Sequence, residues 1–157
     1  MKLEEEARAA RVAKGRMNYE ILILIVLIFA AIEDLFRKEI SLWMPFVAGL
    51  ISLVCIAEKY LRVELDFGGA LASLIPGAIL LLIAFVTRQE IGYGDGLMAL
   101  SIAPVLGFER TCFVLFISMT LSSIYSILYL IIKRGDKKST FPFIPFLVAG
   151  MGVTLFA

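Results

Sequence analysis

The chain contains no histidine, which excludes Ser-His-Asp and Cys-His nucleophiles, His-held zinc and His-ligated haem. Cysteine is nearly as scarce. Cys55 and Cys112 lie in separate apolar runs with no second ligand at metal-binding spacing, the setting of small embedded apolar residues rather than of a redox or zinc centre. Only 18% of the residues are charged, against roughly 25% in an ordinary soluble domain. The formal net charge is +1. With no basic block interleaved with aromatics and no phosphate-cradling glycine loop, the sequence offers nothing to a nucleic acid.

Apolar residues are what it has in excess: 61% of 157 residues, with a mean hydropathy of +0.94. A chain this short still exposes about a third of its unfolded surface after folding. The surplus therefore needs a non-aqueous solvent, and a soluble enzyme is excluded. The run lengths identify that solvent as a lipid bilayer. Residues 21–32 are twelve consecutive apolar residues, and with their flanks from Met17 to Phe36 they reach the roughly 20 needed to cross about 30 Å of hydrocarbon. Charge-free runs at 41–57 and 67–87 predict helices 2 and 3, the latter with Pro76 and Gly77 as a kink near its middle. Residues 97–108 are short for a span and reach across only if the preceding glycine turn dips into the membrane. Residues 111–132 and 141–157 complete an all-α, polytopic membrane fold of about six transmembrane helices.

Residues 1–16 form a charged N-terminal tail, alternating acid and base with alanine, read as a short surface helix or a frayed end. The tail is not a secretory signal, because no A-x-A cleavage site follows the apolar run; Met17 is an alternative start. The loops after helices 1, 3 and 5 hold seven bases, Arg37, Lys38, Arg88, Lys133, Arg134, Lys137 and Lys138, and the opposite loops hold three. Positive-inside topology then puts the first set in the cytoplasm. The five tail bases would cancel this bias, but Glu4, Glu5 and Glu6 dilute them.

A carboxylate at membrane depth costs at least about 2.5 kcal/mol, so each is a functional candidate. Asp34 directly follows the first apolar run, and Asp95 closes Gly92-Tyr93-Gly94-Asp95. In a six-span layout both fall at the same membrane face. The glycines around Tyr93 allow a turn and a close approach. Two carboxyls meeting there would share one proton, since like charges at close range cannot both ionise. One can then act as base on a water while the other donates to a peptide carbonyl. The alternative is that each Asp is a helix cap or a solvated interface residue, and that the glycine turn is only a turn. Glu33 points about 100° away from Asp34 and reads as interfacial. Asp66 and Asp136 read as solvated loop residues, and Glu20 as a marker of the opposite interface.

The stretch GYGDGLMALSIAPVLG (92–107) resembles the GxGD signature and following small-residue helix of the type IV prepilin peptidase family of membrane aspartic proteases. EDLFRKEISLW (33–43) is similar to that family's first-aspartate segment, and FPFIPFLVAG (141–150) resembles its closing PFxPFL helix. The resemblance implies a peptidase domain over residues 17–157, with Asp34 and Asp95 as the catalytic dyad and Gly92 and Gly94 shaping the turn that presents Asp95. It also implies removal of the short basic leader of prepilin-like proteins at the cytoplasmic face of the plasma membrane, with no metal or organic cofactor. Arg37, Lys38 and Lys138 are candidates for holding the substrate near the dyad; ordinary positive-inside topology also accounts for them. Phe141, Pro142, Phe143 and Pro145 read as a rigid packing start to helix 6 that could border the substrate groove.

The chain departs from the family pattern at Ser41-Leu42, where Pro-Asn is usual, and at Gly96-Leu97, where Val-Lys is common. No segment can host the CxxC-bearing methylation domain of larger members, so proteolysis alone is expected, as in compact members including those serving tight-adherence pili. The competing reading is a small non-enzymatic transporter or assembly subunit whose carboxylates bind a cation.

Overall fold

The computed structural model describes residues 2–37, 41–62, 66–86, 92–133 and 142–156. Six helices account for them: α1 (Lys2–Arg37), α2 (Trp43–Leu61), α3 (Phe67–Val86), α4 (Tyr93–Leu106), α5 (Phe108–Lys133) and α6 (Ile144–Phe156). Three of these, Trp43–Leu61, Phe67–Val86 and Phe108–Ile132, are long and apolar enough to cross a bilayer by length and composition. α1 is longer still. Its 36 residues extend about 54 Å at 1.5 Å each, so the charged tail and the first apolar run share one uninterrupted helix.

Burial is inverted relative to a soluble protein. The core is small and tight, drawn from Ile23 and Leu27 of α1, Met98 and Ile102 of α4, and Ile144, Leu147 and Met151 of α6, all at most 1% exposed. Large apolar side chains such as Phe29, Phe36, Leu53, Phe85, Phe116 and Ile131 point outward. In water such a surface would drive aggregation; in hydrocarbon it is the lipid-facing wall. The chain is an all-α polytopic membrane protein.

α4 and α6 are short, with 14 and 13 residues, and they sit inside the bundle. α4 packs on α1, α2, α3 and α5, while α6 packs on α1 and α5. Close backbone approach makes the α3–α4 contact possible. A Cβ on Gly77 would lie 2.6 Å from the Leu100 Cα, and one on Gly96 would lie 2.9 Å from the Leu81 Cγ, so a glycine from each helix admits the other, as small residues do between membrane helices. α4 then reverses into α5 across a single residue, Gly107, whose φ of 83° is open to glycine and strained for any L side chain. Its N–H donates to the Ala103 carbonyl at 2.8 Å, and its own carbonyl accepts from the Thr111 hydroxyl at 2.7 Å.

Hydroxyls inside the hydrocarbon satisfy themselves locally, since no water is there to do it. Ser118 and Thr154 donate to the Val114 and Gly150 carbonyls, each four residues back. Ser52 donates across to the Ser101 carbonyl and ties α2 to α4.

At the far end of α1 from Asp34, Glu20 pairs with Arg110 of α5 at 2.8 Å. Beside it the Tyr19 hydroxyl donates to Glu58 of α2, which also pairs with Arg62. Glu20 thus lies at the opposite face from Asp34, as the sequence predicts, but buried and paired rather than merely interfacial. Asp66, expected to be a free loop residue, caps α3: its carboxylate accepts from the Gly68 and Gly69 N–H groups at 3.1 Å, as N-cap aspartates do.

Candidate active site

Three helix ends meet at one side of the bundle: the carboxyl-terminal end of α1 and the amino-terminal ends of α4 and α6. α1 brings Asp34, one turn before its end and on the same buried stripe as Ile23, Leu27, Ala30 and Ala31. Asp34 is only 4% exposed. Its Oδ2 accepts the Ile144 backbone N–H at 3.2 Å, and the neighbouring Phe143 N–H reaches the same carboxyl. α6 begins here because Pro145 occupies its second position, where a missing N–H costs nothing.

α4 brings Asp95, in its first turn and 8% exposed. The GYGD stretch is not a turn separate from the helix but its start. Gly92 is the residue before the helix, with φ −62° and ψ 132°, and Tyr93, Gly94 and Asp95 are its first three helical residues. The Asp95 N–H closes that turn on the Gly92 carbonyl at 3.1 Å. Neither glycine has a positive φ. What Gly92 provides is space: a Cβ there would lie 3.1 Å from Asp95 Oδ2.

Asp34 and Asp95 are sixty-one positions apart in the chain, yet both are buried, on helices α1 and α4 that pack against each other. The amino-terminal ends of α4 and α6 add the partial positive charge of helix N-termini beside them. The arrangement suits a carboxyl pair that must carry negative charge while mostly shielded from water.

Arg37 is exposed and pairs with Glu33 one turn back at 3.5 Å. Lys38, Lys138 and Phe141 lie outside the described residues. Pro142 and Phe143 are half-buried, with Phe143 packed against the core beside Asp34. Among the described residues no group of three or more acidic or thiol side chains is assembled as a metal ion would require. Sequence reasoning did not find the Ile144 N–H, because a backbone donor leaves no mark in side-chain identity; the prolines at 142 and 145 were its only trace.

A model of the type IV leader peptidase family matches residues 21–127, which takes in both aspartates, the whole of α2, α3 and α4 and parts of α1 and α5. The chain belongs to the type IV leader peptidase family. No curated protein and no solved structure matches it. Membership supports a membrane protease in general.

Proposed function

We propose that the chain is an aspartic endopeptidase that removes the short basic leader of prepilin-like proteins. What supports this reading is that two carboxyl groups are buried on helices that pack against each other, α1 and α4, in a membrane bundle of the leader peptidase family. One carboxyl, ionised, takes a proton from a water held between the pair. The other, protonated, gives its proton to the carbonyl oxygen of the scissile peptide as the water oxygen bonds to the carbonyl carbon. The tetrahedral diol then breaks its C–N bond. The amine leaves with a proton returned from the first carboxyl, the second is reprotonated from the diol hydroxyl, and the new acid departs.

The seven bases in the loops after α1, α3 and α5 support a cytoplasmic orientation for this face in the plasma membrane. A substrate whose leader ends where its apolar helix begins presents its scissile bond at that depth, while the helix lies against the lipid-facing wall of the enzyme. The basic residues Arg37, Lys38 and Lys138 are assigned to holding acidic or carbonyl groups of the substrate.

Co-expression with a prepilin-like protein and detection of the shortened product on a gel tests the reading. Asp34→Asn and Asp95→Asn are each expected to abolish the product while the enzyme still accumulates in the membrane. Wild-type cleavage by both variants would overturn the dyad.

A further inference from the structure

The first turn of α6 ends on Asp34 rather than on solvent, and that contact has a consequence for the proposed chemistry. Ile144 is completely buried and its N–H is committed to one oxygen of the carboxyl group, Oδ2, at 3.2 Å. Asp34 is joined to α1 through two rotatable side-chain bonds; it is itself buried, but the three residues that end the helix after it, Leu35, Phe36 and Arg37, are all exposed. Ordinary carboxylate rotamers would let it swing. An oxygen anchored by a backbone donor on a neighbouring helix removes that freedom, because the donor is itself fixed by α6. α6 is held in turn by Leu147 and Met151 in the core. Pro145 sharpens the arrangement: it has no N–H of its own to offer the turn, and Ile144 supplies the backbone donor to Asp34.

We infer that the amino-terminal turn of α6 is a positioning element for the dyad, in which the Ile144 backbone N–H holds Oδ2 of Asp34 so that Oδ1 is left to face the attacking water. This deepens the proposed proteolytic reading and rests on it. Ile144 does no chemistry on the substrate; it acts through Asp34. The same contact explains why a proline-flanked aromatic segment opens the last helix: the prolines fix where α6 starts, and the start of α6 fixes where the carboxyl points.

The full-length enzyme in detergent, with a prepilin-like protein bearing a short basic leader ahead of an apolar helix as the substrate, provides the test. Ile144→Ala keeps the N–H and loses the side chain. Ile144→Pro loses both, at a helix position that suits proline. From the first variant to the second, kcat per folded enzyme is expected to fall a further tenfold or more, with KM moving less than threefold, because orientation of a reacting group is felt in the transition state. Equal kcat in the two variants, or a change confined to KM, would overturn the proposal. Should Ile144→Pro fail to fold, replacing residue 144 by its α-hydroxy-acid analogue turns the amide into an ester and removes the donor alone; the same fall in kcat is expected, and unchanged kcat is the contrary result. Asp34→Asn separates the two levels. If it cleaves like wild type the dyad reading fails, whereas an inactive Asp34→Asn beside an Ile144 ester of undiminished kcat refutes only the positioning role.

Discussion

Glu20 and Asp34 lie fourteen residues apart on one face of α1, each buried and each held by a different helix. Fourteen residues are about 21 Å along the axis and within about 40° around it. The Arg110 guanidinium of α5 grips the first at 2.8 Å, and the Ile144 N–H of α6 holds the second at 3.2 Å. Between them the stripe is apolar, through Ile23, Leu27, Ala30 and Ala31. A polar contact at each end sets how far α1 slides and turns within the bundle, and so sets where Asp34 stands relative to Asp95.

Removing the cation of the far pair is expected to cost more than neutralising the acid. Arg110→Ala strips a buried carboxyl of its guanidinium, a change worth about 3 kcal/mol when the remaining charge stays desolvated. Glu20→Gln leaves an arginine that is 43% exposed at its side chain and can reach the interface, so its cost is nearer 1 kcal/mol. Thermal unfolding in detergent should rank them in that order.

Gly92→Ala should damage activity while leaving stability alone. The backbone at 92 has φ −62° and ψ 132°, which any residue adopts, so the unfolding free energy should move by less than about 0.5 kcal/mol. The new methyl would sit 3.1 Å from Asp95 Oδ2 and push the carboxyl by a few tenths of an ångström. A fall in kcat on the order of tenfold is expected, read with the prepilin-like substrate.

Gly77→Ala should destabilise more than Gly96→Ala. The first methyl would meet backbone atoms at once, the Leu100 Cα at 2.6 Å and its nitrogen at 2.7 Å, whereas the second first meets the Leu81 side chain at 2.9 Å and reaches the Leu81 backbone only at 3.1 Å. Side chains can yield and backbones cannot without separating α3 from α4. Losses of roughly 1–3 kcal/mol are expected, with the larger at 77, measured by unfolding in detergent.

Gly107→Ala tests backbone strain without a clash. Nothing lies within 4 Å of the added carbon, yet φ there is 83°. The conformation alone should cost about 1–3 kcal/mol, visible as a lowered Tm with kcat per folded enzyme preserved, since the turn lies at the end of α4 away from Asp95.

The positions of the helices were legible to differing degrees, and the differences have causes. The charge-free run at 67–87 became α3, Phe67–Val86, nearly residue for residue, because hydrocarbon tolerates no other structure over such a stretch. α2 runs on to Leu61, past the expected end at 57, because Glu58 finds Tyr19 and Arg62 as partners at the exposed end of the bundle. α4 starts at Tyr93 rather than 97. Two glycines and an aspartate read as a turn by propensity, and only the packing of α3 and α1 around them makes them the first turn of a helix.

What the sequence by itself determined is solvent and inventory. Transfer free energy adds up along a run of residues, so the apolar lengths alone specify a membrane bundle, and the absence of histidine narrows the chemistry to its few embedded carboxyls. What surrounds each carboxyl was decided by tertiary structure alone. Asp34 is buried against the start of α6, on a helix that packs on α4, because glycines let α3 and α4 close together and because both ends of α1 are anchored by other helices, and contacts between residues sixty or more positions apart depend on that packing rather than on any local preference of the chain.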